Sequence, residues 1–175
     1  MERFEIRVDD ALLRDLHERL ARTRFPDQLD AAGWDYGTEL GYLGQLCAYW
    51  KSGFDWRAQE RALNALPQFR AKIGGLDLHF VHARSPHPEA FPLLLTHGWP
   101  GSFFEFHKII GPLTQPEAHG GRSEDAFHVV APSLPGYAWS EAPRARGFDA
   151  RRIAGVEAEL MARLGYARYG AQGGD

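Results

Sequence analysis

The spacing of apolar residues changes period along the chain, and the changes mark out its elements. Phe4, Ile6 and Val8 alternate with charged residues, which predicts a short strand. Asp9 or Asp10 can then cap an amphipathic helix carrying Leu12, Leu13, Leu16 and Leu20. Residues 24–37 are crowded with turn formers and predict an irregular meander. A second helix is predicted over residues 38 to 50, with Leu40, Leu43, Leu46, Cys47 and Trp50 on one side. A third starts after Asp55 as N-cap and runs through Trp56, Leu63 and Leu66 to the break at Pro67. Past Pro67 the period is that of strands. Residues 69–73 and 76–83, joined by Gly74-Gly75, predict a hairpin with Leu76, Leu78 and Phe80 on one face and His79 and Val81 on the other.

Leu93, Leu94 and Leu95 form a continuous apolar run between a proline and a His-Gly loop, as suits a strand covered on both faces. Ser102 with Glu105 makes a capping box, and Phe103, Phe106, Ile109, Ile110 and Leu113 follow at helical spacing. Residues 114–126 are polar and predict an exposed loop, and residues 127–130 predict a compact strand. Asp149 caps a helix with Ile153, Val156, Leu160, Met161 and Leu164 on one face, Gly165 ends it, and residues 166–172 predict the next strand. Strands alternating with helices after a hairpin predict an α/β fold with a mainly parallel sheet, preceded by a mostly helical stretch. Open sheets of this kind bind ligands beyond the carboxyl ends of their strands, which directs attention to the residues after Leu95, after Val130 and after Gln172.

Composition narrows the partners. A chain of 175 residues suits one domain, or one domain with an extension, and a net charge of −3 without a run of one sign gives no footprint for nucleic acid. No apolar run is long enough for a membrane span, and the start Glu2, Arg3, Phe4, Glu5 lacks an export signal, so a cytoplasmic location is expected. Cys47 is the sole cysteine, so neither a disulfide nor a zinc pair is expected. His79 and His82, three apart in a strand, point to opposite faces and make a poor metal pair; they are expected to hydrogen-bond or lie at the surface. Neither a metal nor a cofactor is called for.

Several stretches resemble the epoxide hydrolases of the α/β-hydrolase superfamily. The loop His97-Gly98-Trp99-Pro100-Gly101-Ser102 resembles their oxyanion-hole loop, in which the Trp99 backbone N–H would be the donor. Gly98 allows close approach of the backbone, and Pro100 restricts Trp99. The run Pro132-Ser133-Leu134-Pro135-Gly136-Tyr137 is similar to a second family stretch, but Ala138-Trp139 replace the usual Gly-Phe. An alanine there implies either a slightly different backbone or a strained one. Tyr137 and Trp139 are candidates for substrate binding, with Trp139 equally suited to anchoring the surface. Tyr169-Gly170-Ala171-Gln172-Gly173-Gly174-Asp175 resembles the family's nucleophile turn, where small residues flank the nucleophile, here Asp175. Upstream, Tyr49-Trp50, Phe54-Asp55-Trp56-Arg57, Glu60, Leu63-Asn64, Pro67-Gln68-Phe69 and residues 76–82 resemble the N-terminal extension of the microsomal and juvenile-hormone branch, which carries no catalytic group. The implied division is an extension over residues 1–83, merging into the first strands, and the first half of a hydrolase core over residues 84–175.

The resemblance implies a reaction. An aspartate at the turn can open an epoxide to a covalent ester, which a histidine-activated water hydrolyses to a vicinal diol while the oxyanion hole holds the tetrahedral intermediate. The partners would be a small epoxide and water. The family order along the chain is nucleophile, acid, histidine, so none of the eight histidines here is expected to be the base. The acid, the base and the lid with its tyrosines would lie beyond Asp175. Two other readings stand beside this one. Haloalkane dehalogenases share the aspartate chemistry but commonly carry Asn or Glu where Trp99 stands, and a noncatalytic remnant could serve as a binding or regulatory module.

Overall fold

The computed structural model describes residues 1–174. They form two compact units, residues 6–63 and residues 1–5 with 64–174. The first is helical. Helix α1 (Asp10–Ala21) is capped by Asp9, whose side chain accepts the Ala11 N–H at 2.7 Å; α2 (Leu40–Ser52) is capped by Glu39; and α3 (Trp56–Asn64) follows Asp55, which accepts the Ala58 N–H at 3.0 Å. The predicted second helix is therefore shifted by two residues, because Glu39 and not Thr38 satisfies its first free N–H groups. Glu60 is nearly buried and accepts from the Val8 N–H at 2.7 Å, the Trp56 indole at 3.2 Å and Arg57 at 2.7 Å. These bonds, led by that from Val8, hold its carboxyl below the ordinary glutamate range. Trp56, Arg57 and Glu60, one cluster of the sequence resemblance, are thus a structural knot.

The second unit is a six-stranded sheet in the order β1-β2-β3-β5-β4-β6, with β1 (Glu2–Arg3), β2 (Gln68–Ile73), β3 (Leu76–Ala83), β4 (Phe91–Thr96), β5 (Phe127–Pro132) and β6 (Gly170–Gly173). Pairing is antiparallel from β1 through β3 to β5 and parallel in β5-β4-β6. The sheet is mixed, and its parallel part is the half after the hairpin. A two-residue turn leaves β2 and β3 no alternative to antiparallel pairing. Gly74 and Gly75 both have positive φ, +57° and +83°, as a type I′ turn requires.

Three expectations change in detail. The first strand covers only Glu2–Arg3: the Phe4 N–H still reaches Gln68 O at 3.0 Å, but the Val8 N–H turns to Glu60, so the alternation of Phe4, Ile6 and Val8 does not continue a ladder. The helix expected after Ser102 is a 3-10 turn (Phe103–Phe106) followed by a short α4 (Ile110–Thr114). Pro112 accounts for the break. It has no N–H and cannot sit in a helix interior, but in the first turn of a restarted helix no N–H is needed. The last strand begins at Gly170, four residues later than expected, because residues 165 and 166 close helix α5 (Ala150–Arg163): the Gly165 N–H bonds Ala162 O at 3.0 Å and the Tyr166 N–H bonds Met161 O at 2.9 Å.

Helix α5 covers one face of the sheet. Val156, Leu160 and Met161 pack with Ile73, Leu78, Phe80, Leu94 and Val130 in one buried cluster. The opposite face carries His79, whose ring meets Phe103 edge-on at 5.2 Å, so the 3-10 turn after β4 lies on the side away from α5. Hairpin and helix meet closely at Gly74, where an added Cβ would lie 2.5 Å from Val156 Cγ2. Gly74→Ala combines that clash with a strained φ and is expected to cost about 1–3 kcal/mol. Urea unfolding should show the loss, whereas Gly75→Ala, where nothing lies within 4 Å, should lose only the conformational part.

Candidate active site

Parallel pairing brings three chain segments to one edge of the sheet. Leu94 lies opposite Val130 and Thr96 opposite Gly173, so β5, β4 and β6 all end on the same side. The segments leaving that edge are residues 97–102, residues 133–141 and the chain after Gly173. β4 lies between β5, the next strand in the chain, and β6, which returns to its other side. Connections therefore diverge at the end of β4, where such sheets form a crevice.

The first segment is a tight turn. The Gly101 N–H bonds Gly98 O at 2.8 Å, and the Trp99-Pro100 peptide bond is cis, as in a type VI turn. A Cβ on Gly101 would lie 3.2 Å from Gly98 O and would strike the Glu105 carboxylate, which closes the Ser102 capping box. His97 is buried. Its Nε2 accepts the Leu134 N–H at 3.1 Å, so its proton sits on Nδ1, which points to Gly98 O at 3.2 Å. His97 is therefore a neutral brace between two loops, with both ring nitrogens engaged. Trp99 is 74% exposed, and among the described residues its N–H has no acceptor.

The second segment is fastened along β3. Ser133 N–H bonds His79 O at 2.9 Å, and the Ser140 hydroxyl donates to Ser133 O at 2.7 Å while accepting the His79 N–H at 3.0 Å. Glu141 exchanges bonds with Asp77, N–H to O at 2.8 Å and Oε2 from N–H at 3.1 Å. Between these anchors Tyr137 sets its ring on that of His97, at 5.3 Å. Trp139 packs instead among Phe4, Phe103 and His79 at 5.6–6.1 Å, and its carbonyl accepts from Arg70 at 3.0 Å. Ala138 has φ +44°, so of the two possibilities for this alanine the strained backbone is the one observed.

The structure thus brings His97, Gly98, Trp99, Pro100 and Tyr137 together and leaves Trp139 in a neighbouring aromatic cluster. Asp175 lies outside the described residues. Among the described residues no group of three or more His, Cys, Asp or Glu could hold a metal ion. An apolar cavity of about 860 Å³ lies elsewhere, in the helical unit; its one carboxylate, Asp55, is spent on capping α3. Its lining residues all belong to the helical unit.

Two further groups take part that sequence reasoning did not single out for the site. Glu157 of α5, 7% exposed, accepts the Thr96 hydroxyl at 2.9 Å, and burial holds its carboxyl above the ordinary range. His79, fully buried, bonds Gln68 Oε1 at 2.9 Å and the Ser133 hydroxyl at 2.8 Å through its two ring nitrogens. Of the two roles expected for it, hydrogen bonding or a place at the surface, the hydrogen-bonding one is observed, in a buried position; Ser133 and Ser140, its loop partners, carry no pattern of their own. Burial, aided by Arg70, lowers the His79 pKa from 6.5 to about 4. Between those values the unfolded chain binds a proton that the folded chain refuses, so the stability present above pH 6.5 is lost as pH falls toward 4, on the order of 3 kcal/mol for this residue. Unfolding midpoints measured across that range should fall, and His79→Gln should flatten the dependence. At Ala138, replacement by glycine is expected to relieve strain and raise stability by up to about 1 kcal/mol.

Comparison with known proteins agrees with these observations. A family model described as "Epoxide hydrolase N terminus" matches residues 1–106. A putative epoxide hydrolase of Stigmatella aurantiaca (strain DW4/3-1) is 51% identical over 172 residues, and epoxide hydrolase 1 of Oryctolagus cuniculus is 43% identical over 178. In both cases the match covers 98% of this chain and 39% of the relative. Among solved structures, the juvenile hormone epoxide hydrolase of the silkworm Bombyx mori superposes with a TM-score of 0.89 at 37% identity, and an epoxide hydrolase of Aspergillus niger with 0.88 at 35%. Each superposition covers 99% of this chain and 46% of the other. The chain therefore spans about two fifths of the length of the curated relatives it matches, and it belongs to the epoxide hydrolase family.

Proposed function

We propose that these residues form the front part of the active site of an epoxide hydrolase, with Asp175 as nucleophile and the Trp99 N–H as an oxyanion donor. The observation that carries the reading is the register of β4 with β6. Thr96 opposite Gly173 means that the turn at residues 97–101 and the chain running into position 175 leave the same sheet edge side by side. The Trp99 N–H, without an acceptor among the described residues, supports the donor role. Pro100 and Gly98 hold it in a closed turn, and His97 ties that turn to the loop bearing Tyr137.

The chemistry follows from these parts. The Asp175 carboxylate attacks one epoxide carbon, the C–O bond breaks, and the oxygen leaves as an alkoxide that takes a proton from an acidic side chain assigned, like the base, to sequence following Asp175, giving a hydroxyalkyl ester. Water, deprotonated by a histidine, adds to the ester carbonyl. The negative charge that develops there is held by the Trp99 N–H, and collapse releases the diol and restores the carboxylate. His97 is not the base in this scheme, because its Nε2 already accepts the Leu134 N–H. The base and its acid partner are assigned to sequence following Asp175, in keeping with the nucleophile, acid, histidine order of the fold. Tyr137, and at greater remove Trp139, would line the substrate side. The substrate is a small epoxide and the co-substrate water, without metal or cofactor. Among the described residues no helix is long and apolar enough to cross a membrane, and the single free thiol Cys47 suits the cytoplasm, where we place the protein.

Two measurements test this. A full-length enzyme carrying these residues should convert styrene oxide to its diol. Asp175→Asn should lower turnover by at least about a thousandfold. Diol formation unaffected by that substitution would remove Asp175 from the mechanism. Residues 1–175 alone should form at most one equivalent of ester per chain, seen by mass spectrometry as a single styrene oxide adduct on Asp175. Sustained turnover by this shorter chain would place a base within it.

A further inference from the structure

Thr96 is the last residue of β4, and its backbone and side chain face different partners. The backbone pairs with Gly173, the last residue of β6, while its side chain points toward α5 and donates to Glu157 Oε1 at 2.9 Å. Leu94, two residues earlier on the same face, packs against α5 in the apolar cluster, so the Thr96–Glu157 bond is the polar continuation of that contact at the sheet edge. Glu157 is 7% exposed and makes no ion pair among the described residues. Its neighbours on α5 are Val156, Leu160 and Met161, all buried and apolar.

A carboxyl group in such surroundings is an expensive way to hold a helix to a sheet. A leucine of similar volume would extend the apolar cluster without loss of solvation. What leucine could not do is fix Thr96 at one height and rotation, since apolar contact is non-directional and a hydrogen bond is not. The next three residues after Thr96 are His97, Gly98 and Trp99, and a small rotation at the strand end is carried directly into the direction of the Trp99 N–H.

We propose that Glu157, acting through Thr96, is a positioning residue for the turn at residues 97–101, keeping the Trp99 N–H aimed along the edge that the chain reaches after Gly173. The inference rests on the oxyanion role assigned to Trp99 above. Glu157 touches no reacting atom in this account. It sets the angle of the strand end that bears the donor.

The test uses a full-length enzyme carrying these residues, with styrene oxide as substrate and three variants, Glu157→Leu, Glu157→Gln and Thr96→Val. Glu157→Gln keeps an acceptor oxygen for Thr96, and the other two remove the bond with little change of volume. Glu157→Leu and Thr96→Val are expected to lower kcat by about ten- to a hundredfold with KM little changed, and Glu157→Gln to stay within about threefold of the parent. Combining Glu157→Leu with Thr96→Val should cost no more than either alone, because both remove the same bond. Amide hydrogen exchange supplies the second readout. In the two damaging variants, exchange should rise in residues 96–102 while β2, β3 and β5 stay protected as in the parent. Parent-like kcat in Thr96→Val and Glu157→Leu, or exchange raised evenly over the whole sheet, would overturn the proposal. A parent enzyme that forms no diol would instead refute the functional reading, and the exchange pattern would then decide the positioning role by itself.

Discussion

Everything proposed for this protein depends on one pairing, the parallel register of β4 with β6. Four backbone positions, from Leu93 opposite Gly170 to Thr96 opposite Gly173, bring together parts of the chain nearly eighty residues apart in sequence. Parallel strands cannot be joined by a tight turn, so the intervening residues must cross the sheet faces, and in doing so they supply the second edge loop and α5. A slip of one residue in this register would turn every β6 side chain to the other face and move Gly173 away from Thr96. A Cβ added at Gly170 would rest in contact with the Leu93 and Phe91 side chains at 3.4 Å.

The loops on that edge are held by polar bonds that cross between elements. His97 joins the turn at residues 97–101 to Leu134, and His79 joins β2 to Ser133. In both cases a neutral imidazole is used for its two opposed nitrogens. Histidine suits the task because a donor and an acceptor sit on one rigid ring. The arrangement also explains how Ala138 survives at φ +44°: anchors at Ser133, Ser140 and Glu141 over-determine the path of the loop, so one strained residue is tolerated between them.

Much of this could be read from residue order. The Gly74-Gly75 hairpin, the strands ending near Thr96 and Val130, the Ser102–Glu105 capping box and the Gly165 stop each follow from local rules, and each is observed. Local rules failed where a competing group intervened. Pro112 split a helix that the apolar spacing made continuous, and the bond from Val8 to Glu60 ended a strand that alternation would have prolonged. At the candidate site, the turn at residues 97–101 and the loop bearing Tyr137 were legible as turns, because backbone requirements leave marks in sequence. The Thr96–Glu157 bond and the Ser133–His79–Gln68 chain were not, since they join residues 61, 54 and 11 positions apart and depend on which face each side chain takes in the folded sheet.

We propose that the Trp99 N–H and the Asp175 carboxylate serve one reacting centre. A crystal structure of a full-length enzyme carrying these residues, trapped as the hydroxyalkyl ester on Asp175, measures it most directly. The ester carbonyl oxygen should lie about 3 Å from the Trp99 nitrogen, with the N–H pointing at it. An ester oxygen held by other donors, with the Trp99 N–H turned to solvent, would contradict it.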